Sequence, residues 1–179
     1  MKQAGETKHR ILDAAERLFA ERGFDAASLR AITAAAGVNL AAVNYHFRSK
    51  DELIRAVLAR NMAPLNARRL ELLDAFEARA QGRPVPVEHV VRALISPMLE
   101  LKQSPGHANL PTLVGRMYAD PSPRTRQLFV DELGEISQRF RSALQRSLPH
   151  VPTADLYWRI GFMIGSTVIT VAASWIIRM

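Results

Sequence analysis

The sequence predicts an all-α protein in two parts: an N-terminal three-helix domain with a helix-turn-helix, and a larger helical domain behind it. Three observations carry the all-α class. Apolar residues recur at three- and four-residue spacing through most segments. No strand pattern bounded by turn chemistry is present. Glycine and proline punctuate the periodic runs, at Gly23, Gly37, Gly82 to Pro86 and Pro121 to Pro123. The 179 residues suffice for one or two small domains. A hydrophobic content of 48% fits a packed chain rather than a disordered one.

The elements follow in order. Met1 to Glu6 are expected to be mobile, with Thr7 as the cap of a helix running to about Arg22. Ile11, Leu12, Ala15, Leu18 and Phe19 form its apolar face. Gly23 stops that helix and Phe24 packs back on it. Ser28 caps a second helix, whose buried stripe is Leu29, Ile32, Ala35 and Ala36. Gly37 closes it, because that position usually requires a positive φ. A third helix, about Leu40 to Phe47, buries Val43 and Phe47. Ser49 caps the next helix, and Glu52 completes a capping box. That helix extends towards Arg79 but is expected to break at Pro64, one part ending near Asn61 and another spanning Leu65 to Ala80.

Residues 81–86, QGRPVP, read as a loop. A helix from Val87 to about Lys102 holds Pro97, which should bend it and deprive the Ala93 carbonyl of its usual partner. Ser104 to Asn109 form a loop, Leu110 to Tyr118 a short helix. Pro123 to Ser147 is a long helix with a stripe of Leu128, Phe129, Leu133, Ile136, Phe140, Leu144 and, just beyond, Leu148. The last helix starts near Thr153.

The chemistry is concentrated in residues 28–50. Two short helices joined at Gly37-Val38-Asn39, the second with small, amide and phenol side chains outside, have the layout of a helix-turn-helix reader of duplex DNA. Asn44 can bond adenine N6 and N7 together. The net charge of +7 and pI near 10.5 favour a polyanionic partner. That charge is spread out, +3 on residues 1–60 and +4 on the rest, so the placement of single residues carries the argument.

ILDAAERLFAERGF, then S-x-R-x-I, AGV and YHF-x-SK-x-EL, all between Ile11 and Leu53, resemble the DNA-binding end of tetracycline-repressor (TetR) family regulators. The resemblance covers about the first third of the chain. It implies residues 1–50 as the DNA-binding domain, with the following helix as link, and 51–179 as the effector-binding and dimerisation domain. It implies DNA contacts for Ser28, Arg30, Leu40, Ala41, Ala42, Asn44, Tyr45, His46 and Lys50. Ser28, Tyr45, His46 and Lys50 would hold the backbone, which sets register without reading sequence. The family often has Tyr where Asn44 stands.

The last helix admits two readings. Residues 160–177 are uncharged, and Gly161-x-x-x-Gly165 matches a membrane dimer motif. The same features suit a subunit interface, and Ser166, Thr167, Thr170 and Ser174 favour it. The expected homodimer interface is Leu133, Ile136, Phe140, Leu144, Gly161, Gly165, Val168 and Ala172. The alternatives are a membrane-tethered protein with 160–177 as its span, and a regulator triggered by a protein partner.

The resemblance further implies an effector cavity, with Arg92, Ile95, Met98, Leu113, Arg116, Met117, Phe129 and Phe162 as candidate lining residues. Arginines there would take an anionic head group on an apolar or amphipathic molecule. No cysteine is present, so disulfides and thiol-based sites are excluded. His9, His46, His89, His107 and His150 have no metal-ligand spacing. No nucleophile motif or phosphate loop occurs, and Asp131, Glu132 and Glu135 alternate with Arg139 and Arg141. The expectation is therefore a cytoplasmic non-enzyme without cofactor or metal: a ligand-released repressor that binds a palindromic operator as a homodimer.

Overall fold

A computed structural model describes residues 2–101, 109–120 and 122–172. Among them are eight helices and no strand: α1 (Lys2–Arg22), α2 (Leu29–Ala36), α3 (Leu40–Phe47), α4 (Lys50–Ala80), α5 (Val87–Leu101), α6 (Leu110–Ala119), α7 (Pro123–Ser147) and α8 (Thr153–Ala172). The expected loop from Ser104 to Asn109 lies almost wholly outside the described residues.

The chain packs as two compact units. One comprises residues 1–61 and 112–132, the other 62–111 and 133–179. The resemblance divides the chain at residue 50, whereas the packing boundaries fall after Asn61, Pro111 and Glu132. Residues 51–61 join the first unit because Leu53, Ile54, Val57 and Leu58 are buried against α1 to α3. Leu113, Met117 and Leu128 complete that core.

The first unit is built on α1. Ile11, Ala15 and Phe19 are wholly buried, one turn apart on one face. Gly23 stops the helix at φ 86°, and its N–H donates to the Phe19 carbonyl. Phe24 then folds back, its ring centroid 5.3 Å from that of Phe19. Two expectations fail here. α1 begins at Lys2 rather than at a Thr7 cap, so residues 2–6 are helical. On α2, Ala35 is exposed, and Thr33 is buried with its hydroxyl donating to the Arg30 carbonyl. A local hydrogen bond makes that burial tolerable.

α4 runs unbroken through Pro64, against the expected break. Proline removes one backbone donor from the ladder. On either side of it, Leu58, Met62 and Leu65 are buried, and this packing holds the helix where local propensity would end it. Asn61 is buried too, donating to the Val57 carbonyl and to Glu16 Oε2, each at 2.9 Å. Arg60 closes on Glu16 and on Asp13, the latter at 2.6 Å. Burial opposes the Arg60 charge, but the Glu16 and Asp13 carboxylates outweigh it and raise its pKa further.

The second unit has its own core: Leu73, Val85, Val90, Ala93, Leu94, Ile136, Phe140, Ala143, Leu144, Val151 and Leu156. Arg139 bridges Asp74 and Glu77 of α4, and Arg146 also pairs with Glu77. Pro97 lies within α5. One residue along from the carbonyl expected to be free, that of Leu94 accepts from Nε of buried Arg69 at 2.9 Å. A distant side chain thus supplies a donor in the turn that proline leaves short.

Candidate nucleic-acid interface

The interface is assembled from the α2–turn–α3 segment. Ser28 caps α2, its hydroxyl accepting from the Ala31 N–H at 3.1 Å. Gly37 has φ 62°, and the Val38 N–H donates back to the Thr33 carbonyl at 3.0 Å. A side chain at Gly37 would be strained there, and its Cβ would lie 2.8 Å from Arg10 Nη2. Arg10, from α1, donates to the carbonyls of Ala36 (2.5 Å) and Gly37 (2.9 Å). It thereby meets two of the carbonyls that the end of a helix leaves open. Asn39 caps α3, accepting from the Ala42 N–H at 2.9 Å.

This scaffold fixes which face of α3 is inward. Val43 is wholly buried and Phe47 nearly so. The opposite face is open: Leu40 is 43% exposed, Tyr45 is 81% exposed, and Ala41 and Asn44 are exposed as well. Ala42 and His46 are half-buried at its edges, with the His46 ring edge-on to Tyr45. Of the nine residues named from the sequence, six therefore lie on the open face of α3 or at its edges, and Ser28 and Arg30 are exposed on α2.

Lys50 is different. Its ammonium donates to the Asp25 carbonyl at 2.9 Å. Burial pushes its pKa down, opposed by Asp25. That ammonium is engaged within the fold, where it ties the start of α4 to the loop before α2. Two cations that the sequence reading missed flank α3 instead. Lys8 and Arg48 line an open groove of about 510 Å³ together with Tyr45, His46 and Glu52. Lys8 Nζ stands 5.9 Å from the centre of the Phe47 ring. Arg48, at the positive φ of 56°, ends α3. Its place directly after YHF was the available signal. Ser49 caps α4 as expected, accepting from the Glu52 N–H, but the Glu52 carboxylate pairs with Arg55 instead of closing a capping box.

The residues named for an effector cavity fall in both units. Leu113 and Met117 are buried in the core of the first unit. Arg116 donates to the Ala20 (2.5 Å) and Glu21 (2.6 Å) carbonyls, capping α1 rather than offering a free cation. Met98 is buried, Ile95 packs against the second core, and Arg92 is exposed. Phe162 is 75% exposed, so it lines no core. The Phe129 side chain lies outside the described residues.

The named dimer residues divide similarly. Ile136, Phe140 and Leu144 belong to the second unit's own core, Val168 is buried, and Leu133 is half-buried. Gly161 is exposed, Gly165 half-exposed, and a Cβ on either would meet nothing. The Ala172 side chain is outside the described residues. The exposed stripe of α8 is Trp158, Gly161, Phe162, Ser166 and Ile169, which shares one face at helical spacing. Among the described residues no helix is long and apolar enough to cross a membrane. The candidate span 160–177 runs partly beyond them.

Comparison with known proteins agrees with this geometry. Residues 11–57 match the family of bacterial regulatory proteins, tetR family, and residues 92–179 match the tetracyclin repressor-like C-terminal domain. The chain is 30% identical over 151 residues to the HTH-type transcriptional regulator SrpR of Pseudomonas putida, covering 84% of this chain and 63% of that one. It is 35% identical over 100 residues to the HTH-type transcriptional regulator AcrR of Shigella flexneri, covering 55% and 45%. The matches thus span from under half to under two thirds of these relatives' own length. The fold is shared with the ketosteroid transcriptional regulator KstR2 of Mycobacterium tuberculosis (TM-score 0.61, 22% identity, 92% and 81% of the chains). It is shared also with a transcriptional regulator of Aquifex aeolicus (TM-score 0.59, 23% identity, 92% and 85%). With a tetR-family helix-turn-helix at its N-terminal end and the matching C-terminal domain behind it, the chain belongs to the TetR family of transcriptional regulators.

Proposed function

We propose that this protein represses transcription by binding a palindromic DNA operator as a homodimer and is released by a small molecule. One observation carries the DNA reading: the exposed face of α3, with Leu40, Ala41, Asn44 and Tyr45 outward while Val43 and Phe47 anchor it inward. A helix so presented fits the major groove. Asn44 reads an adenine, and Leu40, Ala41 and Ala42 meet thymine methyls or the groove wall. Arg30, Ser28, Tyr45, His46, Lys8 and Arg48 hold the phosphates on either side.

The stripe of Trp158, Phe162 and Ile169 on α8 supports a dimer. Large exposed apolar groups on one helix face are stabilised by covering them, and Gly161 and Gly165 let a partner helix come close. Two copies would place their α3 helices about 34–36 Å apart, one turn of duplex. An effector that binds better to a state with another spacing lowers operator affinity by mass action. Residues 1–50 supply the reader and 51–179 the response, with α4 as the link.

The test is selection of genomic fragments followed by footprinting, with Asn44→Ala alongside wild type. A protected two-fold symmetric site is expected. Asn44→Ala should cost about 1–3 kcal/mol at one base pair. If the variant protein keeps the wild-type base preference at every position, Asn44 is not the reader.

A further inference from the structure

In the second unit, α4 ends and α5 begins around a groove of about 480 Å³. Arg79 and Arg83 come from one side and His89 and Arg92 from the other, with Pro84 and Pro86 in the wall. No acidic residue lines it. Among the described residues none of these three arginines stands in an ion pair. A second groove in the same unit makes the contrast. It is lined by Glu77, Glu135, Arg139 and Arg146, and its arginines are neutralised by Asp74 and Glu77.

The α4–α5 groove also holds a flat surface. The Phe76 and His89 rings are stacked, with centroids 4.5 Å apart and planes within 6° of parallel. Guanidinium groups bind carboxylates and phosphates in a two-point fork and also stack on aromatic planes. The fixed φ of two prolines limits the freedom of the connecting loop. The volume falls within the range of small-molecule sites.

We infer that this groove binds a small anion carrying a planar ring, its carboxylate or phosphate held by Arg79, Arg83 and Arg92 and its ring laid against the Phe76–His89 pair. The site does not depend on the operator reading. It shares only Arg92 with the effector set expected from the sequence, and it exchanges an enclosed apolar cavity for an open cationic one.

Calorimetric titration of the full chain with 1-naphthoate, adenosine monophosphate and inorganic phosphate tests it. Naphthoate separates a carboxylate ligand from a phosphate one. At least one ringed probe should bind at a single saturable site, at least about tenfold tighter than inorganic phosphate. Arg79→Gln with Arg92→Gln should weaken that binding by about tenfold or more, since charge-assisted bonds are lost. These side chains are exposed, so the fold should survive, and circular dichroism checks that. Phe76→Leu, or His89→Gln should Phe76→Leu not fold, should remove the preference for ringed probes. Arg126→Gln, an exposed change on α7, is the control. No saturable binding of any probe at millimolar concentration would overturn the inference. So would undiminished binding by the double variant, or inorganic phosphate binding as tightly as both ringed probes. None of these readouts involves DNA, so they fail or succeed independently of operator binding.

Discussion

Arg48 and Lys50 show how a neighbouring pair of cations separates in role. Both stand at the junction after α3, and in sequence either suits a phosphate. Arg48 is exposed at the end of α3, whereas Lys50 is bonded to the Asp25 carbonyl. Arg48→Ala is therefore expected to weaken binding to all duplexes alike and to lower the slope of log affinity against log salt by about 1. Lys50→Ala should leave that slope unchanged and instead lower stability in urea titration, since the bond from its ammonium to the Asp25 carbonyl is lost. Glu132 supplies a pH test. Burial raises its pKa above the ordinary glutamate range. A raised carboxyl pKa means that the folded state holds the proton more tightly, so stability falls as pH rises from the unfolded value through the folded one. Glu132→Gln should raise the melting temperature at pH 7, and the gain should vanish below about pH 4.

At the scale of elements, α4 is the informative case. Its caps and apolar positions are legible in the sequence, and so is the fault at Pro64. The helix nevertheless continues from Lys50 to Ala80, because buried neighbours on both sides offset the lost donor. The proline remains a cost within the helix. Pro64→Ala should stabilise the protein by about 1 kcal/mol or more, up to the roughly 3 kcal/mol separating the two residues in a helix interior. Chemical denaturation measures this, and a loss of stability would mean that the proline is needed for the helix path. The α2–α3 turn was legible at Gly37. Its Arg10 clamp was not, since a residue 26 positions away from Ala36 leaves no local pattern.

At the scale of the molecule, the quaternary proposal rests on α8. Phe162→Glu is expected to shift a dimer towards monomer in sedimentation and to weaken operator binding by at least about tenfold, since a charge would then lie in an apolar contact. An unchanged dimer would remove the exposed stripe from the interface. The stripe corrects the sequence reading in a telling way. Ile136, Phe140, Leu144 and Val168 are apolar and helical in period, but the chain covers them itself. Phe162, assigned to a cavity, is left outside.

The sequence by itself determined the all-helical class, the limits of α2, α3 and α7, the left-handed closure at Gly37, the caps at Ser28 and Ser49, and the outward face of α3. These are local properties: dihedral preferences and bonds three to five residues apart, written in adjacent letters. Only the tertiary structure decided which of several apolar stripes faces a core, that Lys50 and Arg116 are occupied by carbonyls far along the chain, and that Arg79, Arg83 and Arg92 converge around one stacked ring pair. Burial and charge pairing depend on which segments come together in space, and periodicity records only that a face is apolar, not what covers it.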